Sequence, residues 1–143
     1  MRTRLPALAA LFTGLALAPA PAASPFAEHR LVLQLSDAAP AKQELVLSIA
    51  NNMLKLYGPD LVAIEVVAFG PGVRLLYADS PERVAVDSLI AQGVRFDVCM
   101  TTIGSIAHAT GHMPALDPKA VPVTYGVGRI MSLVETGYTL VRP

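Results

Sequence analysis

The stretch RLVLQLSDAAPAKQELVLSIANNMLKLYGPDLVAIEVVA, residues 30–68, decides the fold. Its first six residues form a short apolar run stopped by Ser36 and Asp37, which reads as a largely buried strand. Pro40 then opens a helix, because its missing N–H is harmless in the first turn. Leu45, Ile49 and Met53 recur every four residues with Val46, Ala50, Leu54 and Tyr57 beside them, while Lys42, Glu44, Asn51 and Lys55 fall mostly on the other side. Gly58 and Pro59 close this amphipathic helix. Residues 61–68 are rich in β-branched side chains and interrupted only by Glu65, the mark of a second buried strand. Strand, helix and strand in that order make a unit whose two strands run parallel.

The alternation continues toward the carboxyl end. Phe69-Gly70-Pro71-Gly72-Val73 reads as a glycine-flanked loop, followed by a short apolar turn at Leu75, Leu76 and Tyr77. Ser80, Pro81 and Glu82 supply an N-cap, a first-turn proline and an acid at the positive end of the dipole, so a helix is expected to about Gln92, ending at Gly93. Residues 94–98 alternate apolar and charged, which predicts a strand with one buried and one partly wet face. Cys99 follows directly. Thr101 or Thr102 is expected to cap a helix carrying Ile103, Ile106 and Ala107 that stops near Gly111. A Pro-rich loop spans residues 113–122. Residues 121–123 fit a short strand, with Pro122 arguing for an edge or a strand start, and 126–135 and 138–142 a last helix and strand. The fold class expected is α/β, a three-layer α/β/α sandwich with a mostly parallel sheet of about five strands.

The beginning of the chain has a different character. Arg2 and Arg4 precede an apolar run and then the small residues Ala18-Pro19-Ala20-Pro21-Ala22-Ala23, the layout of a cleaved secretory signal peptide over residues 1–23. Residues 24–143 are then one domain, periplasmic or secreted, with no stable membrane insertion after cleavage. Removing Arg2 and Arg4 lowers the basic count from 11 to 9 against 11 acids, and those nine are scattered singly. No basic patch or aromatic ladder offers a nucleic-acid surface.

In parallel α/β sheets, binding residues gather beyond the carboxyl ends of the strands, where both Cys99 and the Gly70-Pro71-Gly72 loop are expected. Cys99, the sole cysteine, is the candidate catalytic residue, since a helix start beside it favours the reactive thiolate. The competing assignment is a small buried hydrophobe. Gly70, Pro71 and Gly72 are candidate binding residues whose N–H groups and missing side chains let a ligand approach, or else a plain tight turn. Thr101, Thr102 and His108 complete the candidate set as polar neighbours of the thiol. His108 and His112, with Cys99, would make an incomplete ligand set, so neither metal nor cofactor is expected.

These residues carry a resemblance. The strand from His29 to Leu35 with Asp37, the Ala68-Phe69-Gly70-Pro71-Gly72-Val73 strand end and Asp79-Ser80-Pro81 are similar to the DsrE/DsrF-like (YchN-like) family, in its exported branch. So are Gly93-Val94-Arg95-Phe96-Asp97-Val98-Cys99 with Thr101 and Thr102, and the closing Gly137-Tyr138-Thr139-Leu140-Val141-Arg142-Pro143. The resemblance implies an α/β/α sandwich assembled as a homo-oligomer, trimer or hexamer. It also implies a cysteine at position 99 that carries sulfur as a persulfide between a donor and an acceptor protein. The expected function is therefore periplasmic sulfur handling of a sulfurtransferase-like kind. The alternative is a non-enzymatic oligomeric module that binds a small ligand or protein, with Cys99 structural.

Overall fold

A computed structural model describes residues 23–143. The elements, in chain order, are β1 (His29–Leu35), α1 (Pro40–Tyr57), β2 (Val62–Ala68), a 3-10 helix (Gly70–Leu76), α2 (Arg83–Ala91) and β3 (Arg95–Cys99). There follow α3 (Met100–Thr110), β4 (Val121–Val123), α4 (Gly126–Glu135) and β5 (Thr139–Val141). The signal-peptide assignment falls, apart from Ala23, outside the described residues. No helix among the described residues is long and apolar enough to cross a membrane.

All strands are parallel, in the order β4-β3-β2-β1-β5. This order dictates the layers. From β1 to β4 the chain steps in one direction, so right-handed crossovers put α1, α2 and α3 on one face. From β4 it returns past the sheet to pair β5 with β1, and the same hand places α4 on the other face. The three-layer α/β/α architecture is thus unequal, with α4 alone on its side among the described residues.

The larger core lies under the three helices. Leu33, Leu35, Ile64, Val66, Phe96 and Val98 meet Val46, Ala50, Leu54, Val86, Leu89 and Ile103 there. Under α4 the core is small, with Val32 and Val67 of the sheet against Ile130 and Leu133. Central β2 is buried throughout, as its continuous apolar pattern requires. Edge β4 holds Pro122, where an absent N–H costs no ladder bond.

Four local expectations need correction. Ser80 does not cap α2, whose N-cap is Glu82, so Pro81 and Glu82 stand before its first turn. The buried stripe of α1 is Gln43, Val46, Leu47, Ala50 and Leu54, rotated from the expected one, so Leu45 is 43% exposed. Tyr57 is exposed too and stacks on the His29 ring at 3.8 Å. The expected glycine loop is the first turn of the 3-10 helix. Finally, the charged side of β3 is wet only at Arg95: Asp97 is 0% exposed, because α4 covers it.

Candidate functional site

The topology singles out one point on the sheet. β3 and β4 are neighbours, yet the helices that follow them leave for opposite faces. Such a divergence opens a crevice at the carboxyl ends of the two strands, the usual binding place in open α/β sheets. Cys99 ends β3 at this point.

Cys99 is itself the N-cap of α3, in extended conformation (φ −72, ψ 109), and no side chain caps that helix. Thr101 and Thr102 therefore lie in the first turn, not at the expected cap position. The sulfur points to the face covered by α4, where the N–H of Gly126, first residue of α4, donates to Sγ at 3.2 Å. Two helix N-termini converge on one sulfur. The Thr124 carbonyl lies 3.9 Å from Sγ and accepts from both the N–H of Thr101 (3.2 Å) and its hydroxyl (2.7 Å), tying the β4–α4 connection to the start of α3.

Burial pushes the Cys99 thiol up. Hydrogen bonding from the N–H and hydroxyl of Thr102 and the N–H groups of Gly126 and Thr101 outweighs it, holding the thiol below the usual cysteine range. Thr102 also reaches the other way, its Oγ1 accepting the N–H of Gly70 at 3.0 Å. The 3-10 helix and the thiol are thus joined through one hydroxyl.

Gly126 has to be glycine at this approach. A Cβ there would lie 3.0 Å from Phe69 Cβ and 3.2 Å from Cys99 Cβ. Gly72 is likewise a packing residue, since a Cβ on it would stand 2.3 Å from the backbone oxygen of Leu35. Gly70 (φ +54) and Pro71 do face open space, a mainly apolar cavity of about 460 Å³ shared with Val73, Thr102 and Ile106. Cys99 does not line it. Another cavity, of about 440 Å³, opens at the end of β1 beside Asp37, Lys42 and Arg142, two strands away from Cys99.

Not every expected residue gathers at the site. His108 lies in the last turn of α3, exposed and about 13.5 Å along the helix from Cys99. It is not a neighbour of the thiol. Gly111 ends α3 in the left-handed conformation, so His112 falls off the helix, its ring against the Thr110 carbonyl. Among the described residues no three His, Cys, Asp or Glu side chains gather as metal ligands.

A charged cluster, not anticipated as part of the site, lies on the same face of the sheet. Asp97, two residues before Cys99, and Glu65, opposite Arg95 on the neighbouring strand β2, are 0% and 3% exposed. Arg95 Nε contacts Asp97 at 2.8 Å and Glu65 at 3.1 Å. From α4, Arg129 contacts Glu65 Oε1 through Nη2 at 2.6 Å and Nε at 2.7 Å, and Asp97 Oδ2 at 3.3 Å. Burial, then the hydrogen bond and charge of Asp97, push the Glu65 carboxyl up to about 8 against the pull of Arg129. The available signal was a Glu and an Asp inside two otherwise buried strands, which demands cationic partners.

No protein-family model and no curated protein matches the chain. Among solved structures it matches that of MTH1491, a protein of unknown function from Methanobacterium thermoautotrophicum, with a TM-score of 0.71 and 30% identity. The match covers 81% of this chain and 100% of the archaeal one. The archaeal structure shares the α/β fold, and at this identity over its full length the chain belongs to the same family as MTH1491.

Proposed function

We propose that the protein is an exported sulfur carrier of the DsrE/DsrF-like kind, with Cys99 as its nucleophile. The observation that carries this reading is the Gly126 N–H on Cys99 Sγ, at the convergence of two helix starts. Partial positive charge from both ends favours a thiolate. That thiolate attacks the terminal sulfur of a donor persulfide R–S–SH. The donor S–S bond breaks, R–S⁻ leaves, and Cys99 holds the sulfur as a persulfide with its proton. An acceptor thiolate then takes the outer sulfur and returns Cys99 as thiolate, so neither step needs an external oxidant. Cys99 is 6% exposed, so a donor enters where the exposed Thr101, Thr124 and Tyr125 border the sulfur. The layout of residues 1–23 supports export, and the reaction belongs to the periplasm or the exterior.

Intact-mass measurement after exposure to a persulfide donor tests this. Wild type should gain about 32 Da, one sulfur atom, and Cys99→Ser should gain nothing. No gain in the wild type rejects the carrier role.

A second reading, an oligomeric binding module with a structural cysteine, draws on a different observation. The outer side of α4 exposes Val127 (54%), Met131 (59%) and Val134 (45%) at helical spacing, an apolar stripe apt for a second copy of the chain. Sedimentation of Met131→Glu decides it: the variant should be monomeric where wild type self-associates, and a monomeric wild type removes this reading.

A further inference from the structure

We propose that Arg129 is a positioning residue for Cys99, clamping α4 to Glu65 and Asp97 so that the Gly126 N–H stays on the sulfur. The proposal rests on the reading of Cys99 as a working thiolate and assigns a role to the charged cluster that this reading leaves unused.

The geometry carries it. Arg129 lies three residues after Gly126, one helical turn along α4. Its N–H donates to Tyr125 O at 2.9 Å, closing the turn that presents the Gly126 N–H. Its guanidinium spans two strands, contacting Glu65 on β2 and Asp97 on β3. Other contacts of α4 with the sheet, Ile130 and Leu133 on Val32 and Val67, are apolar and non-directional, and permit small slides. A planar fork on two fixed carboxylates does not. Asp97 and Cys99 also share one side of one short strand, so the anchor and the sulfur move as one body.

The groups facing the clamp set its charge state. Arg95 of β3 contacts both acids, and Tyr138, between α4 and β5, is held above the usual phenol range by burial and then by the charge of Glu65. Arg30 of β1 is the other cation near Tyr138 and donates to the Thr136 carbonyl at the end of α4. Arg95 and Arg129 both contact Asp97, and removing one leaves that buried acid short of a partner.

The test uses residues 24–143 as the exported chain, with the variants Arg129→Met and Arg129→Lys and with Ile130→Ala as a control that loosens α4 but keeps the fork. The readout is the midpoint of the pH profile of Cys99 alkylation by iodoacetamide, alongside circular dichroism. Losing one hydrogen bond to a thiolate should raise the midpoint by about one pH unit, roughly tenfold less thiolate near neutrality. Arg129→Lys should also rise, because a point charge cannot hold both carboxylates. Ile130→Ala should keep the wild-type midpoint. A folded Arg129→Met with the wild-type midpoint overturns the proposal, and a Lys variant at wild type beside a shifted Met variant also overturns it, since charge alone would then act. Should Arg129→Met fail to fold, Arg129→Lys decides, read the same way. A wild-type midpoint at or above about 8.5 rejects the thiolate reading instead. The clamp is then read by the amide resonance of Gly126, which must move in Arg129→Lys and must not in Ile130→Ala.

Discussion

Replacing Gly126 by alanine perturbs the site with the smallest possible change. The new Cβ would stand 3.0 Å from Phe69 Cβ, 3.2 Å from Cys99 Cβ and 3.4 Å from Phe69 Cδ1. Two of these atoms are Cβ atoms bonded directly to the backbone, so they yield little, and α4 itself has to move out by a few tenths of an ångström. The Gly126 N–H then leaves its 3.2 Å contact with Sγ. A hydrogen bond to a charged group is worth about 1.5–3 kcal/mol, and losing half of one costs the thiolate about 1 kcal/mol. The midpoint of the alkylation profile should therefore rise by about 0.7 pH unit. Overpacking should lower stability to urea by about 1–3 kcal/mol, offset by up to about 1 kcal/mol from alanine's better helix propensity. Iodoacetamide kinetics between pH 5 and 10 and urea unfolding measure both. A folded Gly126→Ala with an unchanged midpoint would mean that this N–H does not hold the thiolate, and the reasoning about the site would fall with it.

Three other substitutions probe separate links. Gly72→Ala forces a Cβ to within 2.3 Å of the Leu35 carbonyl, and should cost about 3 kcal/mol of urea stability while the thiol midpoint stays nearly in place. Thr102→Val keeps the shape but removes the hydroxyl that accepts the Gly70 N–H and supports the sulfur; the midpoint should rise and stability fall by about 1–3 kcal/mol, and an unchanged midpoint contradicts the assigned hydroxyl role. Glu65→Gln tests the buried pair through pH. Because the folded carboxyl is raised from 4.5 to about 8, the native state holds more protons than the unfolded one between those values. Its contribution to stability is complete below about 4.5 and is lost as pH rises through about 8, with a slope of at most about 1.4 kcal/mol per pH unit. Urea midpoints measured from pH 5 to 8 should fall in the wild type and stay flatter in Glu65→Gln; parallel curves reject the assignment.

Much of this architecture was legible in the sequence because its signals are local. The apolar runs of β1 and β2, Pro40 and Gly58 around α1, and Gly111 after α3 each act through their own backbone, and they ended the elements where expected. The position of Cys99 followed from the same alternation. What was not legible depends on which face each helix covers. The rotation of α1 that exposes Leu45 is set by how α2 and the sheet divide the space, not by its four-residue repeat. The alternation of residues 94–98 marks two faces and keeps Arg95 partly wet, but no local pattern says that α4 returns over Asp97. His108 is close to Cys99 in sequence but not in space, because the helix carries it to the far end.

The unequal layering bears on why the site is built this way. A parallel sheet needs both faces covered, and here one face has ten helical residues with two of them, Ile130 and Leu133, in the core beneath. So little apolar contact leaves that helix weakly located, and the site requires its first N–H to be placed to within a few tenths of an ångström. A larger apolar interface would strengthen the attachment without fixing the slide, because burial is nearly indifferent to small translations. Directional contacts fix it. The cluster of two arginines and two buried carboxyls supplies them at the cost of desolvating charged groups, a poor exchange for stability alone. Its expense is reasonable if what it secures is the register between Gly126 and Cys99, and that is why the thiol midpoint, rather than the unfolding free energy, is where the loss of Arg129 should be most visible.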